Sequence, residues 1–153
     1  MSFRTDGGGY AARADIKIDI CNNSTWATKL SQIGKAPNYG HAFIVTTDLP
    51  DLDYAERVLF KNPRVMLYAP ETCEAQLREL KKRLPELSCF IAKTVPLNIV
   101  LLEPYCSWIC PGPLAPKKYA SEGISIGIHD CGVRSYLLSA LEQTVFYRAK
   151  ELV

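Results

Sequence analysis

At 153 residues the chain is one domain by length, with room for a proper hydrophobic core. Hydrophobic residues make up 48% and charged residues 22%, an ordinary globular composition. The formal net charge is +2 and the basic residues are scattered. The one dense cluster, Lys81, Lys82 and Arg83, falls near the end of a predicted helix, where positive charge is favoured locally. This patterning predicts no nucleic-acid partner. No apolar run approaches the length of a membrane span, and the N-terminus lacks a basic-then-apolar leader, which predicts residence in the cytosol. The six cysteines are then expected to be mostly reduced core residues; in a secreted protein they would instead pair, with a connectivity the sequence does not give.

Residues 1–13 hold Gly7, Gly8 and Gly9 and no periodicity, and are expected to be a flexible tail before a single domain over 14–153. Asp15 to Ile20 alternates polar and apolar, the period of a half-buried strand. Asn23 and Ser24 offer a helix cap, and 25–33 is predicted helical with Trp26, Leu30 and Ile33 on one side. Residues 34–40 read as a loop. Residues 41–47 read as a strand, 51–61 as a helix with Leu52, Ala55 and Leu59 inward, and 64–69 as a third strand. Ala75, Leu77, Leu80 and Leu84 keep helical spacing across 72–84, and the wholly apolar character of 97–102 predicts a central strand. Pro104, Pro111, Pro113 and Pro116 with Gly112 predict a long loop over 104–119. A strand over 123–128 and a long C-terminal helix over 133–152 complete the chain. This order predicts an α/β (α+β) domain: a mixed β-sheet flanked by helices.

The sharpest pointer to chemistry is a pair. His41 opens the apolar run His41-Ala42-Phe43-Ile44-Val45, and Cys131 stands where a strand gives way to the last helix. A thiol at a helix N-terminus is favoured in its ionised form, and an imidazole on a neighbouring strand supplies the base. In that mechanism His41 takes the Cys131 proton, the thiolate attacks a carbonyl, and the backbone N–H of Cys131 stabilises the oxyanion. Tyr68 and Asn98 are the candidates to orient the imidazole. His129, two residues before Cys131 in an extended segment, is an alternative base. The plain reading beside this is that Cys131 is a core thiol and His41 satisfies a local hydrogen bond.

Cys106, Cys110, His129 and Cys131 offer four soft ligands of the kinds zinc prefers, although the spacing matches no familiar zinc motif; the default expectation is no metal and no cofactor. Tyr105, Trp108, Ile109 and Leu114 read either as an exposed partner surface on the 104–119 loop or as a buried flap. No phosphate loop, dinucleotide fingerprint, serine elbow or paired-carboxylate motif is present.

The order of three segments resembles the circularly permuted branch of the NlpC/P60 papain-like superfamily, which includes the lecithin:retinol acyltransferase-like proteins. The segments are Ala14 to Ile20, Tyr39-Gly40-His41-Ala42-Phe43-Ile44-Val45, and Asp130-Cys131-Gly132 with its helix. The resemblance implies cleavage of an amide, ester or thioester bond, or acyl transfer, with His41 as base and Cys131 as nucleophile. It departs from the family in Asp130, where Asn usually precedes the cysteine. The elements over 64–69, 72–84, 97–102 and 123–127 resemble in order the peptidyl-tRNA hydrolase 2 fold; that family's Lys- and Gln-containing catalytic helix has no counterpart here, so this reading implies a non-catalytic binding module on the same scaffold. The sequence thus predicts a cysteine hydrolase or acyltransferase acting on a peptide, acyl or small-molecule substrate. Its alternative is a module that binds a protein or small ligand through the 104–119 loop.

Overall fold

The computed structural model describes residues 15–21, 41–60, 62, 64–103, 106–115 and 123–153. Eight strands form one mixed sheet in the order β1-β7-β6-β5-β2-β3-β4-β8. They are β1 (Asp15–Cys21), β2 (Ala42–Val45), β3 (Val65–Pro70), β4 (Ser88–Ala92), β5 (Asn98–Leu102), β6 (Cys106–Cys110), β7 (Gly123–His129) and β8 (Lys150–Glu151). β2, β3 and β4 run parallel, and every other neighbouring pair is antiparallel. Helices α1 (Leu52–Leu59) and α2 (Glu74–Arg83) make the parallel crossovers, and α3 (Cys131–Thr144) follows β7. The expected architecture, a mixed sheet flanked by helices in an α+β arrangement, is the one found.

The pleat sends alternate side chains to opposite faces, and both faces of the central strands are covered. Ala42, Ile44, Val65, Leu67, Cys89, Val100, Leu102 and Trp108 pack with Ala55 and Leu59 of α1 and Leu77 and Leu80 of α2. Val45, Tyr68, Ala92, Ile99 and Leu101 pack with Leu141 of α3 and with Val145. Each fully buried leucine contributes about 1.5–3 kcal/mol relative to exposure. The helix starts are pinned by side chains: Asp51 accepts from the Tyr54 N–H at 3.1 Å, and Asp130 from the Val133 N–H at 2.8 Å. Arg83 ties α2 to α1 through Asp53 at 2.7 Å and Glu56 at 3.7 Å.

Several expectations are corrected. The 104–119 segment contains β6, a strand in the interior of the sheet, and Trp108 at 3% exposed and Leu114 at 0% are core. Prolines flank Cys106-Ser107-Trp108-Ile109-Cys110 without interrupting it, which is why a proline count reads the whole stretch as loop. β4, a five-residue strand between Pro85 and Pro96, has too few residues for its period to stand out. The last helix ends at Thr144 rather than 152, because Lys150 and Glu151 pair with Ile91 and Phe90 of β4 and need extended backbone. The expected tail over 1–13, helix over 25–33 and loop over 34–40 lie outside the described residues.

Two packing features give measurable consequences. Phe43, Tyr68, Phe90 and Phe146 stack beneath α3, with Tyr68 and Phe146 centroids 4.0 Å apart. Burial first, then the Glu151 and Glu142 carboxylates, push the Tyr68 hydroxyl up to about 12. Its folded value is therefore raised above the unfolded one. The associated stability is complete below pH 10 and is lost as pH climbs from 10 through 12, by roughly tenfold in the folding constant per pH unit. Urea titrations across that range should show a steeper loss for the native chain than for Tyr68→Phe, whose ring does not ionise. The second feature is the close approach of Trp108 to Gly127, its register partner on β7: a Cβ there would lie 2.5 Å from the indole. Gly127→Ala is expected to lose about 1–3 kcal/mol of unfolding free energy, and Trp108→Leu should recover part of that loss in the double variant.

Candidate functional site

The direction of the parallel strands gives the sheet an amino end and a carboxyl end, and the chemistry expected from the sequence lies at the amino end. His41 is exposed and directly precedes β2, while Cys131 is exposed as the first residue of α3, after β7. β5 and β6 stand between β2 and β7, so the strands that carry the two groups are about 14 Å apart. Glu103, which follows the Leu102 register partner of Ala42, turns its carboxylate to Arg134 of α3 at 3.8 Å. Among the described residues no side-chain hydrogen bond joins His41 to Cys131. The structure does not bring the pair together.

The other expected members also part. Asn98 begins β5 and Tyr68 pairs with Val45, both toward the carboxyl end, about 16 Å and about 13 Å along the strands from His41. His129 turns edge-on toward Trp108, with ring centroids 6.4 Å apart. Cys106 and Cys110 are the two ends of β6, roughly 13 Å apart, too far to ligate one ion. Among the described residues no group of three His, Cys, Asp or Glu side chains could hold a metal. Cys73, Cys89, Cys106 and Cys110 are buried and form no disulfide, and burial pushes Cys89 up to about 11 against the lowering pull of Lys81.

The carboxyl end is where open α/β sheets characteristically bind ligands. There the loops are tied together by side chains. The Thr47 N–H and hydroxyl both donate to Asn98 Oδ1, at 2.8 and 3.1 Å. The buried Thr46 hydroxyl donates to the Asp48 carbonyl at 2.8 Å and accepts from the Leu114 N–H at 3.0 Å. At the β4–β8 edge of the sheet, two open grooves meet at Lys93, which follows β4, and Arg148, which precedes β8. One, of about 320 Å³, is lined by Lys93, Thr94, Gln143, Thr144, Tyr147 and Arg148 with Val145, and has no acidic residue. The other, of about 540 Å³, adds Lys150 but also Glu71 and Glu74. Among the described residues no ion pair joins Lys93, Arg148 or Lys150 to a carboxylate. Lys81 differs, donating to the carbonyls of Pro85 and Leu87, and Arg83 is ringed by Asp53, Glu56 and Glu79.

Sequence reasoning missed this cluster because its members are 55 and 57 residues apart along the chain. The one local signal is Arg148-x-Lys150, two cations at strand spacing, which a helix carried through to 152 hides.

No protein-family model matches the sequence, and neither does any curated protein. Solved structures do match the fold. Nuc from Salmonella typhimurium, a phospholipase D family member, superposes with a TM-score of 0.67 at 10% identity, covering 92% of this chain and 99% of that one. NucT from Helicobacter pylori gives 0.67 at 9% identity, covering 86% and 96%. TrmBL2, an archaeal chromatin protein with a novel mode of DNA binding, gives 0.62 at 10% identity over 90% of this chain, which spans about half of TrmBL2 (55%).

These likenesses overturn the NlpC/P60 resemblance, the papain-like cysteine hydrolase or acyltransferase, and the peptide, acyl or small-molecule substrate expected for it. The alternative of a peptidyl-tRNA hydrolase 2-like module binding through the 104–119 loop falls with them, since β6 occupies that segment. The expectation of no nucleic-acid partner is corrected as well, because the fold is shared by a DNA-binding chromatin protein. Scattered charge in the sequence says little about charge the fold gathers. The remaining expectation for Cys131 is reactivity by exposure alone. Iodoacetamide should label Cys131 in the folded protein well before Cys73, Cys89, Cys106 or Cys110, and His41→Ala should leave its rate within about twofold; peptide mass spectrometry reads both.

Proposed function

We propose that the chain is a phosphodiester-recognising domain that binds the backbone of a nucleic acid along the grooves bearing Lys93, Arg148 and Lys150. One observation carries this reading: three cations from separate elements converge at the carboxyl end of the sheet, beside hydroxyl and amide donors, with no carboxylate pairing them among the described residues. Such groups gain most by meeting phosphate oxygens, and each contact releases a condensed counterion. The phosphodiester is also the chemistry common to a phospholipase D and a DNA-binding protein, both represented among the structures of this fold.

A second reading, cleavage of the phosphodiester, is favoured by the near-complete overlap with a phospholipase D family member. Against it, the two histidines of the chain, His41 and His129, both lie at the opposite end of the sheet from the groove. Acid–base chemistry by imidazole is therefore remote from the bound phosphate. Among the described residues no helix is long and apolar enough to cross a membrane. Cysteines that form no disulfide suit a reducing compartment, and we place the protein in the cytosol.

Fluorescence anisotropy with a labelled DNA oligonucleotide, titrated from about 50 to 200 mM salt, tests the reading. Affinity is expected to fall linearly in log–log form, and Lys93→Ala, Arg148→Ala and Lys150→Ala should each lower the slope by about 0.7–0.9. Unchanged binding by the triple variant, or binding to anionic lipid vesicles without binding to the oligonucleotide, overturns it. Gel analysis of the same mixtures separates binding from cleavage, and intact oligonucleotide is the expected result.

A further inference from the structure

Tyr147 is 61% exposed, and the same ring helps to line the 320 Å³ groove that carries Lys93 and Arg148. It lies in the short 3₁₀ turn Phe146–Arg148, whose neighbouring ring, Phe146, is anchored in the core against Tyr68 and Phe43. The turn is thus held from beneath while Tyr147 points outward. The Arg148 guanidinium carbon lies 4.9 Å from the Tyr147 ring centroid, covering one face of the ring. With 61% of the residue exposed, the ring keeps surface open to solvent at the groove.

A phosphodiester needs no aromatic surface, whereas an unpaired base does. Base–aromatic stacking is the usual means by which a basic groove holds single strands, since every base has a π-face and the contact tolerates sequence. In a duplex the bases are stacked on one another and meet proteins at their edges, so an isolated ring beside a phosphate track gains little there. Gln143, Thr94 and Thr144 line the same groove, and the Gln143 amide and Thr94 hydroxyl bring donors and acceptors suited to base edges. The Thr144 hydroxyl is engaged with the Ala140 carbonyl at 2.8 Å.

Building on the phosphodiester reading above, we infer that Tyr147 is a base-stacking residue and that the groove selects single-stranded over double-stranded nucleic acid. The ring takes one unpaired base on its open surface, while Arg148 behind it and Lys93 beside it hold the flanking phosphates.

The test compares three labelled probes of equal length by anisotropy: a single-stranded oligonucleotide, the same backbone with abasic sites, and the duplex. The native chain is expected to bind the single strand most tightly. Tyr147→Ala should weaken that binding roughly 5- to 100-fold, leave the abasic probe within twofold, and be restored by Tyr147→Phe. Tyr136→Ala, which removes an exposed tyrosine of α3 that lines neither groove, should change nothing. Equal loss on the single-stranded and abasic probes, or duplex binding as tight as single-strand binding, overturns the inference. If Lys93→Ala and Arg148→Ala weaken all three probes in that case, the phosphate reading survives without it. If they weaken none, both fall. Thermal unfolding of Tyr147→Ala, expected to match the native chain, excludes loss of the fold as the cause.

Discussion

β5 is buried at each of its five positions, with Val100 and Leu102 toward α1 and α2 and Ile99 and Leu101 toward the α3 side. A strand apolar on both faces tolerates no slip, because a one-residue shift would exchange the two sets and misplace both helical layers. Its neighbours inherit that register. Ala42 must oppose Leu102 and Val45 oppose Ile99, while Cys106 opposes Leu102 from the other side. Through β6 the same row reaches His129, and through β2 it reaches Val65. Which residues stand at which end of the sheet is thereby decided, and the placement of every polar group follows from it.

That constraint explains what the sequence revealed and what it concealed. The strict alternation of Asp15 to Ile20, the apolar run over 97–102 and the helical spacing of Leu77 and Leu80 are local signals, and the elements found match them. β6 was hidden because its length is short and its flanks are proline-rich, although Trp108 and two cysteines within it have the apolar character of a buried strand. The C-terminus was misread for a different reason. Helix propensity favours continuing through Tyr147 and Arg148, but pairing of Lys150 and Glu151 with β4 wins once the sheet exists. Tertiary pairing of this kind has no signature in a window of ten residues.

The pairing of His41 with Cys131 shows how a local reading of chemistry fails. Each residue does occupy the expected local setting: His41 leads a strand and Cys131 opens a helix. Whether they meet depends on strand order, and two strands entered the sheet between them. One of those strands, β6, is the element that the proline content disguised. The separation of His41 from Cys131 and the presence of β6 in the sheet are therefore one fact of topology.

The cations at the carboxyl end admit a plainer origin that must be weighed. β8 is an edge strand of two residues, and a lysine on an exposed edge is a common guard against pairing with another sheet. That accounts for Lys150. It does not account for Lys93, which lies beyond β4 after the strand has ended, or for Arg148, which precedes β8 in a 3₁₀ turn. Among the described residues Arg83 is met by Asp53 and Glu79 and Arg78 by Glu74, whereas the exposed Arg57 and Arg64, like Arg148, have no ion pair. With no ion pair among the described residues, Lys93 and Arg148 keep their charge available to an external anion. Edge protection needs one charge, whereas anion recognition needs several brought together. The arrangement here has the form of the second.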